Sequence, residues 1–222
     1  MAKNFLLVIE YAERDRLAYL SHLETVEAMR RVVRRAQLPF AVSQGFSPHM
    51  ETTFGPALPV GAGGDGEYFG VYLEDYIAPE TALERLQKMA PTNLMPLSVR
   101  YVDVHADALD VYYNTSTWRA EFVGGIAVLE KAFARLCEVG FIETVKVKKG
   151  KTKVKRVEFA TRLVEPPAFA EGGGGKVVMT FTTRQDNEGA LRPDKFIDAA
   201  LDGIEAAPQL VALTRTRLFH TA

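Results

Sequence analysis

One cysteine, Cys137, is the only thiol in 222 residues. A disulfide within the chain, a thiolate zinc site and a self-contained iron–sulfur cluster each need several thiolates, so all three are excluded. The lone thiol lies in Leu129-x-x-Ala132-Phe133-x-x-Leu136-Cys137, on the buried side of an expected helix, where a free cysteine acts as a small hydrophobe. Long apolar runs are missing too. The longest, Phe5 to Ile9, falls far short of the ~18 residues that a membrane span requires. Neither sign of charge dominates: 27 Lys+Arg against 28 Asp+Glu leave a net charge of -1. That balance excludes a uniformly basic nucleic-acid binder and leaves local patches open. The start, Met1-Ala2-Lys3-Asn4, lacks the pattern of a secretory signal, so a soluble cytoplasmic protein is expected. What is present is ordinary globular composition, 47% hydrophobic and 25% charged, which excludes disorder and fibrous classes. At ~100–200 residues per domain, the length suits one large domain or two small ones.

The first hundred residues suggest strand, helix, strand, strand, helix, strand. Phe5 to Tyr11 is apolar and β-prone. Ser21-His22-Leu23-Glu24 is a capping box, in which the serine hydroxyl accepts from a backbone N–H three residues on and Glu24 reaches back. The helix it opens runs to about Ala36, with Leu23, Val26, Met29, Val33 and Ala36 on one face, and Pro39 opposes its continuation. Phe40 to Ser43 and Glu51 to Phe54 are short extended pieces, and Tyr68 to Leu73 is a third strand. Pro79 opens a second helix, and Leu97, Val99 and Tyr101 alternate with polar residues as a strand.

The second half repeats that order with different residues. Trp118, Ala120 and Phe122 alternate as a strand, Gly124-Gly125 break it, and Ile126 to Val139 has a 3.6-residue apolar period. A hairpin over Glu143 to Leu163 turns near Gly150. Gly172 to Gly175 is a loop before a strand over Lys176 to Thr182. A helix opens at Arg192-Pro193-Asp194, and Leu210 to Phe219 closes as a strand. Two βαββαβ units predict an α+β protein of two tandem ferredoxin-like domains with helices on one face, over residues 1–105 and 106–222, the second carrying the hairpin as an insertion.

The densest information lies between Leu20 and Gly61. Ser21-His22-Leu23-Glu24, the arginine-rich helix, Ser43-Gln44-Gly45-Phe46-Ser47-Pro48-His49 and Pro56-Ala57-Leu58-Pro59-Val60-Gly61 together resemble the radical-SAM-linked protein family. That family is a bacterial domain of unknown function encoded beside or fused to a radical SAM protein. Its pattern has Asp where this chain has Glu24, Asn at Ser47 and commonly Pro at Met50, and the match is close over roughly residues 5–75. The resemblance implies a tandem ferredoxin-like fold and a part in RNA-related chemistry with a radical SAM companion acting in trans. This chain lacks the three-cysteine motif of such an enzyme, so radical chemistry would belong to the partner.

Two basic patches are candidates for phosphate contact. Arg30, Arg31 and Arg34 share a helix face with Glu27, and Arg35 lies further round; guanidinium groups bind phosphates bidentately. The structural alternative is a solvated face with Glu27 and Arg31 paired at i,i+4. Lys146, Lys148, Lys149, Lys151, Lys153, Lys155 and Arg156 fall in the hairpin with no acid between them. Such a ribbon can follow a phosphate backbone, although edge lysines also block sheet aggregation.

The loop holding Ser43, Gln44, Phe46 and His49 offers polar atoms for base edges and an aromatic to stack on a base or fill a partner's pocket. His22 and His49 are the candidates for acid–base chemistry, which makes a metal-independent endoribonuclease the rival reading. The structural alternative packs His22 beside its helix and uses His49 to organise the loop. Gly61-Ala62-Gly63-Gly64-Asp65-Gly66 lacks the Lys-Ser/Thr of a phosphate-binding loop. No metal ligand set and no cofactor is expected. The sequence thus favours a non-catalytic RNA-binding or substrate-presenting accessory protein, with a protein-docking module that touches no RNA as a third reading.

Overall fold

The computed structural model describes residues 3–148, 151–186 and 189–221, and of these leaves the side chains of residues 146–148, 151 and 153 undescribed. It is a mixed α/β fold with antiparallel-rich sheets and, among the described residues, five α-helices. The chain divides into two compact units, Met1–Asn114 with Arg217–Ala222, and Thr115–Thr216. No helix among the described residues is long and apolar enough to cross a membrane.

The first unit runs β1 (Phe5–Glu13), α1 (His22–Arg35), β2 (Thr52–Phe54), β3 (Ala62–Leu73), α2 (Pro79–Met89), β4 (Leu94–Val102) and the single turn α3 (Leu109–Tyr112). Its strands lie in the order β4-β1-β3-β2, each pair antiparallel. Alternation along β1 sends Leu7, Ile9 and Tyr11 into a core shared with Met29 and Val33 of α1 and Leu86 of α2. Leu6 and Val8 face the other way, onto Leu109, Tyr113 and Leu218. Both faces of β1 are therefore covered, which explains an unbroken apolar run where a one-sided strand would alternate.

The capping box at Ser21 forms as expected: the Ser21 hydroxyl accepts from the Glu24 backbone N–H, and Glu24 accepts from the Ser21 backbone. Gln37, at φ 53, ends the helix before Pro39. Val32 replaces Leu23 in the core. Leu23 is 74% exposed, whereas Val32 is 2% exposed and packs in the core with Met29 and Val33.

The second unit runs β5 (Thr115–Val123), α4 (Ile126–Val139), β6 (Phe141–Lys148), β7 (Lys151–Glu158), β8 (Leu163–Glu171), β9 (Lys176–Asp186), β10 (Gly189–Ala190), α5 (Pro193–Leu201) and β11 (Gln209–Phe219) up to Thr216, the last residues of β11 being counted with the first unit. Gly140, at φ 79, closes α4 in the left-handed conformation that a side chain would disfavour. Setting aside the β6–β7 pair, which is a separate two-stranded sheet, β8, β9, β5 and β11 lie side by side in that order. Counted along each unit, the second, third, first and fourth principal strands are neighbours in both. Trp118, Ala120 and Phe122 of β5 face Phe133 of α4 and Phe196 of α5 on the buried side, and Phe196 sits among Phe133, Phe159 and Phe181 at centroid distances of 5.2–5.4 Å.

Two of the differences from the sequence-based expectation have a clear local cause. β8 contains Pro166-Pro167, which disguised it. Among the described residues it pairs only with β9, and its register shifts across the prolines, as a strand lacking two donors must. β3 begins at Ala62, six residues before Tyr68, and takes in the glycine-rich stretch. Gly64 and Gly66 lie in that strand because a Cβ would meet the carboxyl arms of Glu67 and Glu10 respectively.

Candidate functional site

Leu20, His22 and residues 54–58 line one small pocket at the N-terminus of α1. His22 is the first residue of the helix, and its ring packs edge-on to Phe54 of β2 at 5.6 Å. Loss of water around the imidazole lowers its pKa from the usual 6.5, opposed by the attraction of Asp110. His49 does a different job. Its Nδ1 lies 2.9 Å from the Ser43 hydroxyl and 3.2 Å from the Ser47 carbonyl, and its backbone N–H donates to the same hydroxyl at 3.0 Å. Those bonds, with the Ser43 N–H on the His49 carbonyl, close the loop from 43 to 49 into an ordered turn. Gln44 and Phe46 stand outside it, Phe46 fully in solvent at 105% exposure.

The two histidines belong to separate places. β2 runs back along α1: Phe54 meets His22, while Thr52 accepts from Arg30 at 3.0 Å. Eight helical residues separate His22 from Arg30, a rise of about 12 Å. His49 lies three residues beyond Thr52, away from His22. A paired acid and base within hydrogen-bond reach of one phosphate is not formed by these residues.

The arginine face is partly committed. Arg30 is half-buried, donates to Glu27 at 2.7 Å and holds Thr52. Its hydrogen bond lowers the Glu27 carboxyl pKa. The pair is Glu27–Arg30 at i,i+3 rather than Glu27–Arg31 at i,i+4, because Thr52 draws Arg30 inward. Arg31, Arg34 and Arg35 remain exposed.

Two acids that sequence reasoning passed over lie beneath this surface. Glu13 and Glu67 are each only 3% exposed. They sit at the ends of alternating core-facing rows, Leu7-Ile9-Tyr11-Glu13 and Glu67-Phe69-Val71-Leu73, so a charge at a core-period position was the available signal. The Glu67 carboxyl arm lies over Gly64, the residue paired with Glu13. Glu13 accepts from the Thr25 hydroxyl of α1 at 3.1 Å. His22, Phe54 and Tyr68 help to enclose the pocket beside them, whose volume of about 10 Å³ suits one water and no substrate. Among the described residues, no three His, Cys, Asp or Glu side chains converge on a metal position. The arrangement ties β1, β3 and α1 together through buried polar contacts.

The basic hairpin is the second candidate. β6 and β7 pair in register from Phe141–Glu158 to Lys148–Lys151. Ile142 and Val157 are buried at its base, whereas Val145 and Val154 are exposed further out. The register sets Lys146 opposite Lys153 and Lys148 opposite Lys151, and Thr144 opposite Lys155. The side chains of Lys146, Lys148, Lys151 and Lys153, and Lys149 altogether, lie outside the described residues. Lys155 is exposed, with its ammonium near Gly189. Arg156 is occupied, stacked 3.4 Å from the Phe141 ring centroid and donating to Glu158 at 2.6 Å. Cys137 is half-buried rather than fully enclosed, and burial raises its thiol pKa.

A family model described as "Uncharacterized protein conserved in bacteria (DUF2344)" matches residues 7–193, well over half of the chain. No curated protein matches. Among solved structures, a chain of "Crystal Structure of a Cbf5-Nop10-Gar1 Complex" is similar at 12% identity and a TM-score of 0.49, covering 97% of this chain. This chain spans 50% of the length of that one.

Proposed function

We propose, from the premise that the chain belongs to this uncharacterized bacterial family, DUF2344, that it is a non-catalytic RNA-binding accessory protein. It presents substrate to a radical SAM enzyme acting in trans. The motifs around Ser21, Phe46 and Val60 support the radical SAM partner. The shared strand order of the two units supports reading each as a ferredoxin-like domain.

One observation carries the RNA reading. The hairpin register sets lysine against lysine twice in succession, and like charges directly opposite one another destabilise a strand pair. A polyanion lying along the ribbon relieves that repulsion, and its counterions are released on binding. The exposed arginines of α1 add phosphate contacts, and Phe46 on its ordered loop offers a stacking surface for an unpaired base. The separation of His22 from His49 favours this reading over the endoribonuclease.

The test is the salt dependence of RNA affinity, measured by fluorescence anisotropy with a labelled single-stranded oligonucleotide. Each phosphate contact contributes about 0.7 to the slope of log K against log salt. Replacing Lys146, Lys151 and Lys153 with Glu should therefore lower that slope by about 2. An unchanged slope removes the ribbon from the interface, and no binding by the native chain leaves the protein-docking reading in its place.

A further inference from the structure

The second unit carries an open trough that the RNA reading does not use. α4 and α5 lie side by side, and between them is a groove of about 700 Å³. Its floor is made by small buried residues, Ala132 and Ala200. Val128 and Val139 stand along the α4 wall at 40% and 51% exposure. Eleven residues separate these valines, a rise of about 16 Å, or three helical turns.

Two properties identify what fits. The first is shape. Alanines on the floor of a trough between two helices let a third backbone approach closely, and an amphipathic helix of three to four turns has the length and apolar stripe to lie there. The second is charge. Lys131 and Arg135 line the groove one turn apart on α4, and neither makes an ion pair among the described residues. The acids nearest in sequence, Glu130 and Glu138, make no ion pair with either cation among the described residues. Asp202, at the end of α5, is the groove's own acid and is likewise unpaired.

We infer that this groove docks an acidic amphipathic helix of a partner protein. Apolar residues at i, i+3, i+4 and i+7 would fill the trough, and carboxylates one turn apart would meet Lys131 and Arg135. The site shares no residue with the basic ribbon, so the inference stands whether or not RNA binds there.

The experiment uses the full chain and two labelled amphipathic peptides of about four turns, with the same leucine stripe and flanking positions that are all Glu in one and all Lys in the other. Anisotropy should show saturable binding of the Glu peptide and none of the Lys peptide. K131E/R135E should weaken the Glu peptide about tenfold and admit the Lys peptide, since both positions are exposed rim charges. Ala199→Phe, which fills the trough from the α5 side, should exclude both peptides while circular dichroism remains native. Failure of the Glu peptide to bind, equal binding by the double variant, or saturation by dodecanoate while both peptides fail overturns the inference.

Discussion

Gly64→Ala offers the sharpest probe of the buried acids, because its sign should depend on a second residue. A Cβ at position 64 would lie 2.5 Å from both Cγ and Oε1 of Glu67 and 2.8 Å from its Cδ, distances that real contacts do not tolerate. The Glu67 side chain, 3% exposed, must then leave its place. Disturbing the hydrogen bonding of one buried polar group costs about 1–3 kcal/mol. Gly64 has no left-handed φ, so the same change also reduces the entropy of the unfolded chain, a gain of about 0.4–1 kcal/mol. The net expectation is a loss of about 1–2 kcal/mol in the native background. In a Glu67→Ala background the new methyl meets no carboxyl, so only the entropic gain survives, and Gly64→Ala should stabilise by about 0.5 kcal/mol. Urea midpoints followed by far-ultraviolet circular dichroism on the four proteins of the cycle measure this. Equal destabilisation in both backgrounds would mean that the strand backbone, not the Glu67 carboxyl, requires glycine.

Ser21→Ala removes the hydroxyl that caps α1 and should cost about 1 kcal/mol in the same urea assay, with Ser21→Asn recovering most of it. His22 has a folded pKa below its unfolded value of 6.5, so the unfolded chain takes up its proton first as pH falls. This residue's contribution to stability is complete above pH 6.5 and declines as pH drops through that value toward the folded one. Stability curves for native protein and His22→Gln should converge in slope above pH 7 and diverge between pH 6.5 and 5; parallel curves would contradict the partial burial. Burial raises the Cys137 thiol pKa, so alkylation by iodoacetamide at pH 8 should run several-fold slower in native protein than in urea, and equal rates would place the thiol in open solvent.

Much of the fold was legible because local chemistry and tertiary context agreed. The capping box at Ser21, the proline opening α2, the period of α4 and the Arg192-Pro193-Asp194 start of α5 are short-range signals, and each element formed where they indicated. β8 was hidden because prolines advertise a loop, and only its position outside β9 makes their missing donors harmless. The beginning of β3 was hidden because glycines in a row also read as loop. Their purpose is to leave room for carboxyl arms from Glu10 and Glu67.

The candidate site divides along the same line. Composition and spacing alone determined that the chain has too few thiols for a thiolate metal cluster, that lysines crowd one hairpin, and that a capping box opens the first helix at Ser21. Those are properties of residue counts and of neighbours a few places apart. Tertiary structure decided which of those residues remain available. Thr52 draws Arg30 from the exposed face, Ser43 holds His49 within its own loop, and Phe54 covers one side of His22. It also brought together Glu13, Thr25 and Glu67, which lie in three separate elements, and opened the trough between α4 and α5. Availability depends on contacts between residues far apart in the chain, which a pattern read along one strand or one helix cannot contain.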